Sequence, residues 1–263
     1  MTTIIAWAGV DQRSVSSVYI ASDSRISWGN SHRWNQGSKT FAAPSTPNIF
    51  GYWGDVLFPS MALPTVVDQL GAGVMRRRGS AFGDITNSIR RLWTDYPQRE
   101  HKDFGIVMAT RRRDNMDAVF ELAVVTFEAA TTTWDIREIE MPRSSARLHI
   151  AGSGASEVRN AETLWKESAQ GGTSRAVYSA FTEALAQGTD PYSGGPPQLV
   201  GLRRIGSGVR FGTVYQGKRY IAGARVTQRA ARIAHVEWFN ELFERTDGGR
   251  ATRLREAQRH TPR

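Results

Sequence analysis

The sequence predicts an α+β protein in which two antiparallel sheets pack face to face and a pair of helices covers each sheet, a four-layer αββα sandwich. The prediction rests on the order of patterns along the 263 residues, which runs strands, two helices, strands, two helices, strands. Sheets and helices with one apolar face must bury that face against another layer, and four stacked layers satisfy every element.

The first half of the chain begins with strand patterns and ends with helical ones. Short apolar, β-prone segments predict strands at residues 3–8, 17–21, 38–41 and 48–55, with a polar loop over residues 28–37. Apolar residues then recur at helical spacing over residues 58–78 and 80–96. The second of these helices carries a stripe at i, i+4, i+7 and i+8, formed by Ile85, Ile89, Leu92 and Trp93.

The second half repeats this order. An antiparallel run of strands is predicted at residues 104–110, 118–126, 132–139 and 146–151, followed by helices at 155–167 and 174–187. Strands at 198–204, 208–214 and 220–226 and a helix at 228–244 complete the pattern. No linker or internal repeat divides the chain, so we expect one domain over residues 1–245 and a basic, mobile C-terminal tail over 246–263.

Composition excludes several classes of function. With no cysteine, the chain has no disulfide, thiolate nucleophile or Cys-ligated metal, and its five histidines show no ligand spacing, so we expect neither metal nor cofactor. No apolar run approaches the roughly 20 residues of a membrane span, which indicates a cytoplasmic protein without a membrane partner. The net charge of +9 is spread over separate clusters at 76–78, 111–113, 203–204 and the tail. We interpret this charge as solvated surface rather than a nucleic-acid site.

The start of the chain offers a self-contained catalytic pair. Removal of Met1 would leave Thr2 with both a hydroxyl and a free α-amine. A hydroxyl is a weak nucleophile until a neighbouring base takes its proton. An α-amine titrates near about 7.7–8.0, so a useful fraction can act as that base at physiological pH. Thr2 is therefore a candidate nucleophile.

Six segments, in order, carry a family resemblance. They are Thr2-Thr3-Ile4, Ala21-Ser22-Asp23-Ser24-Arg25, Ser38-Lys39, Gly51-Tyr52-Trp53-Gly54, Gly152-Ser153-Gly154 and Asp190-Pro191-Tyr192-Ser193-Gly194-Gly195. Together they resemble proteasome β-type subunits and the simpler bacterial peptidase that pairs with a AAA+ unfoldase, both N-terminal nucleophile (Ntn) hydrolases. The sixteen residues from Asp23 to Lys39 match the family's spacing of its paired Asp and Lys.

The resemblance implies a role for each matched residue. Thr2 would attack an amide carbonyl, and the ammonium of Lys39 would favour its alkoxide and make the α-amine harder to protonate. Asp23 would pair with Lys39 and fix its position. Gly54 would donate its backbone N–H to the developing oxyanion.

Four further residues are assigned in the same way. Ser153, Asp190 and Ser193 would surround the α-amine of Thr2, and Tyr52 would lie near the base of the pocket for the side chain preceding the cut bond. Asp55 departs from the family, which has a small residue after the oxyanion glycine, and so could perturb that turn.

Three classes of function stay open from the residues themselves. The favoured one is a threonine-type endopeptidase acting on peptides or proteins within a homo-oligomer, with a AAA+ unfoldase as a possible partner. A small-molecule amidase of the same fold is the runner-up within the enzymes. A non-catalytic scaffold subunit would be indicated if Thr2, Asp23 or Lys39 were absent, and all three are present. A basic nucleic-acid-binding protein is the third class, which salt-sensitive binding of DNA or RNA would support.

Overall fold

The computed structural model describes residues 2–29, 32–75, 82–97 and 102–258. Its strands are β1 Thr3–Val10, β2 Val15–Ser22, β3 Ile26–Trp28, β4 His32–Trp34, β5 Thr40–Ala42, β6 Asn48–Gly54, β7 Phe104–Arg112, β8 Val119–Glu128, β9 Thr133–Ile139, β10 Ala146–Gly152, β11 Gln198–Arg203, β12 Val209–Tyr215, β13 Lys218–Ile221, β14 Ala224–Val226, β15 Trp238–Phe239 and β16 Arg245–Thr246. Its helices are α1 Leu57–Gly71, α2 Gly83–Thr94, α3 Ala155–Glu167, α4 Ser174–Gln187 and α5 Gln228–Ile233, with a 3₁₀ turn at Asn115–Asp117.

Most of the strands belong to two sheets. The first has the order β10-β1-β2-β11-β12-β13-β14, and β15 joins it beside β12 and carries β16. The second has the order β5-β6-β7-β8-β9. The strand pairs within both sheets are antiparallel, except that β15 runs parallel to β12. Strands β3 and β4 form a separate two-stranded hairpin.

Alternating side chains place most of the buried residues in three layers, and a smaller fourth cluster surrounds Val214, Ala231 and Trp238. Ile4 and Ala6 of β1 face the second sheet, where they share a cluster with Ile49 and Val107. Ile5 and Trp7, the alternate residues of β1, face α3 and α4 instead. On the far side of the second sheet, a further cluster joins it to α1 and α2. The predicted αββα sandwich is confirmed.

The predicted elements differ from the observed ones mainly at their ends. The helices predicted at 155–167 and 174–187 have those bounds in α3 and α4. The helix predicted at 58–78 ends at Gly71, and residues 76–81 lie outside the described ranges. The strand predicted at 220–226 is split into β13 and β14, since Ala222 and Gly223 both adopt positive φ and turn the chain.

The helix predicted at 228–244 is wrong beyond Ile233. Trp238 and Phe239 are extended and pair with Gly212 and Thr213 of β12. Asn240 then turns the chain, because its Oδ1 accepts hydrogen bonds from the N–H groups of Leu242 and Glu244. Both faces of the short strand are buried, since Trp238 belongs to one apolar cluster and Phe239 to another. These neighbouring apolar residues contributed to the spacing that suggested a helix.

The separate tail predicted from residue 246 also needs correction. Thr246 pairs with Trp238 and forms a bridge with Arg253, and both Thr246 and Ala257 are buried. Arg219 of β13 donates to the carbonyl oxygens of Gly248 and Gly249. Residues 246–258 are thus held on the first sheet by backbone and side-chain bonds, while residues 259–263 lie outside the described part.

His149 gives the fold a predicted pH dependence. Its ring lies 4.9 Å from that of Trp53, between centroids. Burial, followed by the charges of Arg137 and Arg147, lowers the pKa of His149 from 6.5 to about 4. Between these two values the unfolded chain binds a proton that the folded chain does not. We therefore expect the free energy of unfolding to fall by up to about 3 kcal/mol as the pH drops from 6.5 to about 4.

Urea denaturation across this pH range measures the effect. His149→Gln should flatten the profile, and His32→Gln, which changes an exposed histidine, is the matched control. A His149→Gln profile as steep as that of the wild type would contradict the assignment.

Candidate active site

The carboxylate of Asp23, at the end of β2, is the centre of the candidate site. It is fully buried, and each of its oxygens accepts two hydrogen bonds. Oδ1 accepts from the Lys39 ammonium at 2.8 Å and from the backbone N–H of Thr3 at 3.0 Å. Oδ2 accepts from the backbone N–H groups of Gly194 at 2.9 Å and Arg25 at 3.0 Å. One carboxylate therefore joins three distant parts of the chain.

Lys39 is a buried cation held against this carboxylate. Its side chain is fully buried, just before β5. Burial lowers the pKa of Lys39 below its usual 10.5, because desolvation of the charged form outweighs the support of Asp23. Such a lysine gives up a proton more readily than a surface lysine. The predicted pairing of Asp23 with Lys39 is present in the structure, while its catalytic role stays a prediction.

Thr2 is buried at the entrance to β1. The next residue, Thr3, pairs with Gly152 of β10, which has a φ of +94°. A β-carbon at position 152 would lie 1.7 Å from the carbonyl oxygen of Thr2. Only glycine fits this approach, so Gly152 fixes where the backbone of Thr2 lies. The N–H that follows Thr2 in turn binds the carboxylate beside Lys39.

Ser153, Asp190 and Ser193 lie near this entrance, in two hydrogen-bonded pairs. Ser153 donates to Asp190 Oδ2 at 2.6 Å, and Ser193 shares a hydrogen bond of 2.5 Å with the hydroxyl of Thr3. Thr3, Asp190 and Ser193 also line one small cavity. Their predicted arrangement around the α-amine of Thr2 stays a prediction. Thr3 was missed: its hydroxyl is buried and bonded, so the site includes both of the first two threonines.

Gly54 ends the strand that passes Lys39. The N–H of Tyr52 donates to the carbonyl oxygen of Lys39, and the chain reaches Gly54 two residues later, with a φ of +85°. A β-carbon there would lie 2.4 Å from the carbonyl oxygen of Asp103. Asp55, the departure from the family, donates its N–H to that same oxygen. Asp55 therefore takes part in the turn that it was expected to perturb. The oxyanion role of Gly54 stays a prediction.

Tyr52 is fully buried and packs among the residues between the second sheet and its helices. Its hydroxyl donates to the carbonyl oxygen of Ser38 at 3.2 Å. The open space near Gly54 is a cleft of about 500 Å³ with other residues in its lining: Ile26, Ser27, Trp28, Gly54, Asp55, Val56, Leu57, Ser60, Lys102 and Asp103. The role of Tyr52 in a substrate pocket stays a prediction.

Gln198 and Arg25 are site residues to which the sequence assigned no role. The buried amide of Gln198 accepts from the Lys39 N–H at 3.0 Å and donates to the Asp23 carbonyl oxygen at 3.1 Å. Arg25 donates to the carbonyl oxygens of Pro191 and Ser193. Both hold segments that are far apart in sequence. No short motif around Gln198 signals this role, which depends on the burial of its amide at the start of β11.

Two kinds of feature are absent from the described ranges. No group of three or more His, Cys, Asp or Glu side chains among these residues has a geometry that could hold a metal ion. None of the helices in the same ranges combines the length and apolar character needed to cross a bilayer.

Comparisons with known proteins find a likeness in structure but none in sequence. By sequence, no protein-family model and no curated protein matches the chain. By structure, the chain is similar to the eukaryotic HslV from Trypanosoma brucei, with a TM-score of 0.47 and 10% identity over 76% of this chain and 99% of that one. A likeness at this level says nothing about chemistry, so the interpretation of the site rests on the contacts described above.

Proposed function

We propose that this chain is an Ntn hydrolase, a threonine-type endopeptidase that uses Thr2 as its nucleophile once Met1 has been removed. The observation that carries the proposal is the shared oxygen of Asp23, which binds both the buried Lys39 ammonium and the N–H that follows Thr2. A buried cation is costly unless it is paired, and here Lys39 is paired with the same carboxylate oxygen that binds the N–H following the candidate nucleophile. Met1 itself lies outside the described residues.

The chemistry follows from these groups. The α-amine of Thr2 takes the hydroxyl proton as the oxygen attacks the amide carbonyl carbon, and the Lys39 ammonium favours the developing negative charge. An N–H donor from Gly54 to the oxyanion would contribute roughly 3–4 kcal/mol. The proton passes to the leaving amine, and the acyl group stays on Thr2 as an ester. Water then hydrolyses the ester with the same amine as base, which restores the hydroxyl.

The proposal includes a setting for this activity. A peptidase with a general nucleophile must be kept from folded proteins, so we propose a cytoplasmic homo-oligomer, with helices α1 and α2 at subunit contacts and a AAA+ unfoldase as a possible partner. A small-molecule amidase of the same fold is the second candidate. The observation favouring it is the cleft beside Gly54, whose volume of about 500 Å³ lies within the range of small-molecule sites.

The decisive test is the state of the terminus. Thr2→Ala should lower kcat/KM for peptide hydrolysis by at least about 10³-fold, because it removes the attacking oxygen. Thr2→Ser should keep measurable activity, since serine retains both groups. A tag fused before Thr2 should also abolish hydrolysis by converting the amine into an amide. Intact mass and labelling by a threonine-directed electrophile report the free terminus.

The matched control is the same tagged protein after a protease has cut directly before Thr2. Its activity and labelling should return. A tagged, uncut protein that hydrolyses peptides at the untagged rate would falsify the mechanism.

A further inference from the structure

Three segments of the chain line the cleft beside Gly54. One wall is strand β3 of the separate hairpin, Ile26–Trp28. Another is the turn from Gly54 into the first residues of α1, and Lys102 and Asp103 complete the lining. Because Gly54 is both in this lining and the proposed oxyanion donor, the cleft begins where the carbonyl of a bound substrate would lie. A side chain next to that carbonyl would enter it.

The walls present apolar and aromatic surface to solvent. Trp28 is 58% exposed and Leu57 is 51% exposed, and both line the cleft. Trp28 pairs with His32 and Ile26 pairs with Trp34, so the two tryptophans lie on the same face of the hairpin. An exposed indole face attracts cations, guanidinium groups above all, and apolar walls suit the methylene stem of a long basic side chain.

Carboxylates supply the charge of the cleft. Asp55 donates its N–H to Asp103, and its Oδ2 accepts from the N–H of Phe58 at 3.4 Å. Its Oδ1 has no hydrogen-bond partner among the described residues. Asp103 uses Oδ1 to accept from Ala129. The lining thus carries two carboxylates against the single ammonium of the exposed Lys102.

We infer that this cleft selects substrates with a Lys or Arg side chain on the acyl side of the scissile bond, with Asp55 as the specificity-determining residue and Trp28 as the surface under the cation. The inference rests on the proposed function for its orientation relative to the cut bond. The cation would lie over the indole face and beside Oδ1 of Asp55, and the stem would contact Val56 and Leu57.

Hydrolysis of matched peptides tests the preference. Peptides that differ only in Arg, norleucine or Glu before a fluorogenic leaving amine should show kcat/KM for Arg about tenfold above norleucine, with Glu lowest. Asp55→Asn should lower the Arg-to-norleucine ratio by up to about fivefold, which leaves the share of the preference that Trp28 contributes. Asparagine keeps an oxygen that can accept from the Phe58 N–H, so the start of α1 should be preserved, as a thermal melt would verify. Asp68→Asn, which removes an exposed carboxylate from α1, is the matched charge control.

A binding measurement separates this inference from the proposed catalysis. In the Thr2→Ala background, a labelled peptide ending in Arg should bind about tenfold more tightly by fluorescence anisotropy than one ending in norleucine, and Asp55→Asn should reduce the difference by up to about fivefold. Equal binding of the two peptides, or a preference untouched by Asp55→Asn, overturns the inference even if peptides are hydrolysed. If the binding preference persists while the untagged wild type hydrolyses no peptide and its Thr2 is not labelled, the cleft binds Lys and Arg side chains as inferred and the proposed catalysis is wrong.

Discussion

Asp23→Asn should abolish hydrolysis and lower the free energy of unfolding by about 3–5 kcal/mol. Asparagine replaces one carboxylate oxygen with an NH2 group, which donates hydrogen bonds and does not accept them. The two groups that donate to that oxygen in the wild type would then face another donor. In one orientation these are Lys39 and Thr3, and in the other they are Arg25 and Gly194. The fully buried ammonium of Lys39 would also lose its counter-charge. Urea denaturation and kcat/KM for a peptide substrate measure the two effects.

The double variant Asp23→Asn, Lys39→Met is the control that separates stability from catalysis. Lys39→Met removes the charge that Asp23→Asn leaves buried and unpaired, so the double variant should regain much of the lost stability and remain inactive. Lys39→Met alone should be inactive too, because residues that act as one unit are not additive in their effects on rate. If Asp23→Asn unfolds at the urea concentration that unfolds the wild type, the ion pair does not stabilise the interior as described.

Gly152→Ala should have the second largest effect, lowering peptide hydrolysis by at least about 10²-fold. The added β-carbon would lie 1.7 Å from the Thr2 carbonyl oxygen, so the entrance to β1 must move. The positive φ of +94° adds strain of about 1–3 kcal/mol. Kinetics and denaturation of the purified variant measure both consequences.

Gly217→Ala is the matched control for Gly152→Ala. Gly217 has a φ of +71° in the turn between β12 and β13, and a β-carbon there would meet nothing within 4 Å. This variant should show the cost of positive φ alone, with hydrolysis retained. If the two variants lose activity equally, the close approach to Thr2 is not what matters at position 152.

Local patterns predicted the helical layers well because the residues that form them are close in sequence. Helix α4 has the predicted bounds, and the reasons are local: Thr173 caps its first turn by accepting from the Ala176 N–H, and Gly188 ends it in the left-handed conformation. The helix predicted at 228–244 failed for the opposite reason. What decides the conformation of Trp238 is its pairing with Gly212 of β12, which no periodicity within the segment reveals.

The candidate site likewise combines residues that a short sequence pattern predicts with residues that only distant contacts bring together. The spacing of Asp23 and Lys39 matched a family pattern, and the structure joins the two side chains. Gln198 could not be found in this way, because its bonds to Lys39 and Gly37 connect segments that no short motif contains. The free amine singles out Thr2, and nothing in the local sequence indicates that the hydroxyl of its neighbour Thr3 is buried and bonded. Its partner Ser193 lies 190 residues away in sequence.

The bonds of Asp23 also set an order of events during synthesis. Its partner Lys39 lies 16 residues away in the chain, whereas the N–H of Gly194 lies 171 residues away. Contacts of such long sequence separation form late, since loop closure must precede them. A nascent chain that ends before Gly194 thus cannot hold the carboxylate, the lysine and the first threonines in their final arrangement. If the proposed mechanism holds, a chain truncated before Gly194 would therefore be inactive, because the bond from the Gly194 N–H to Asp23 could not form.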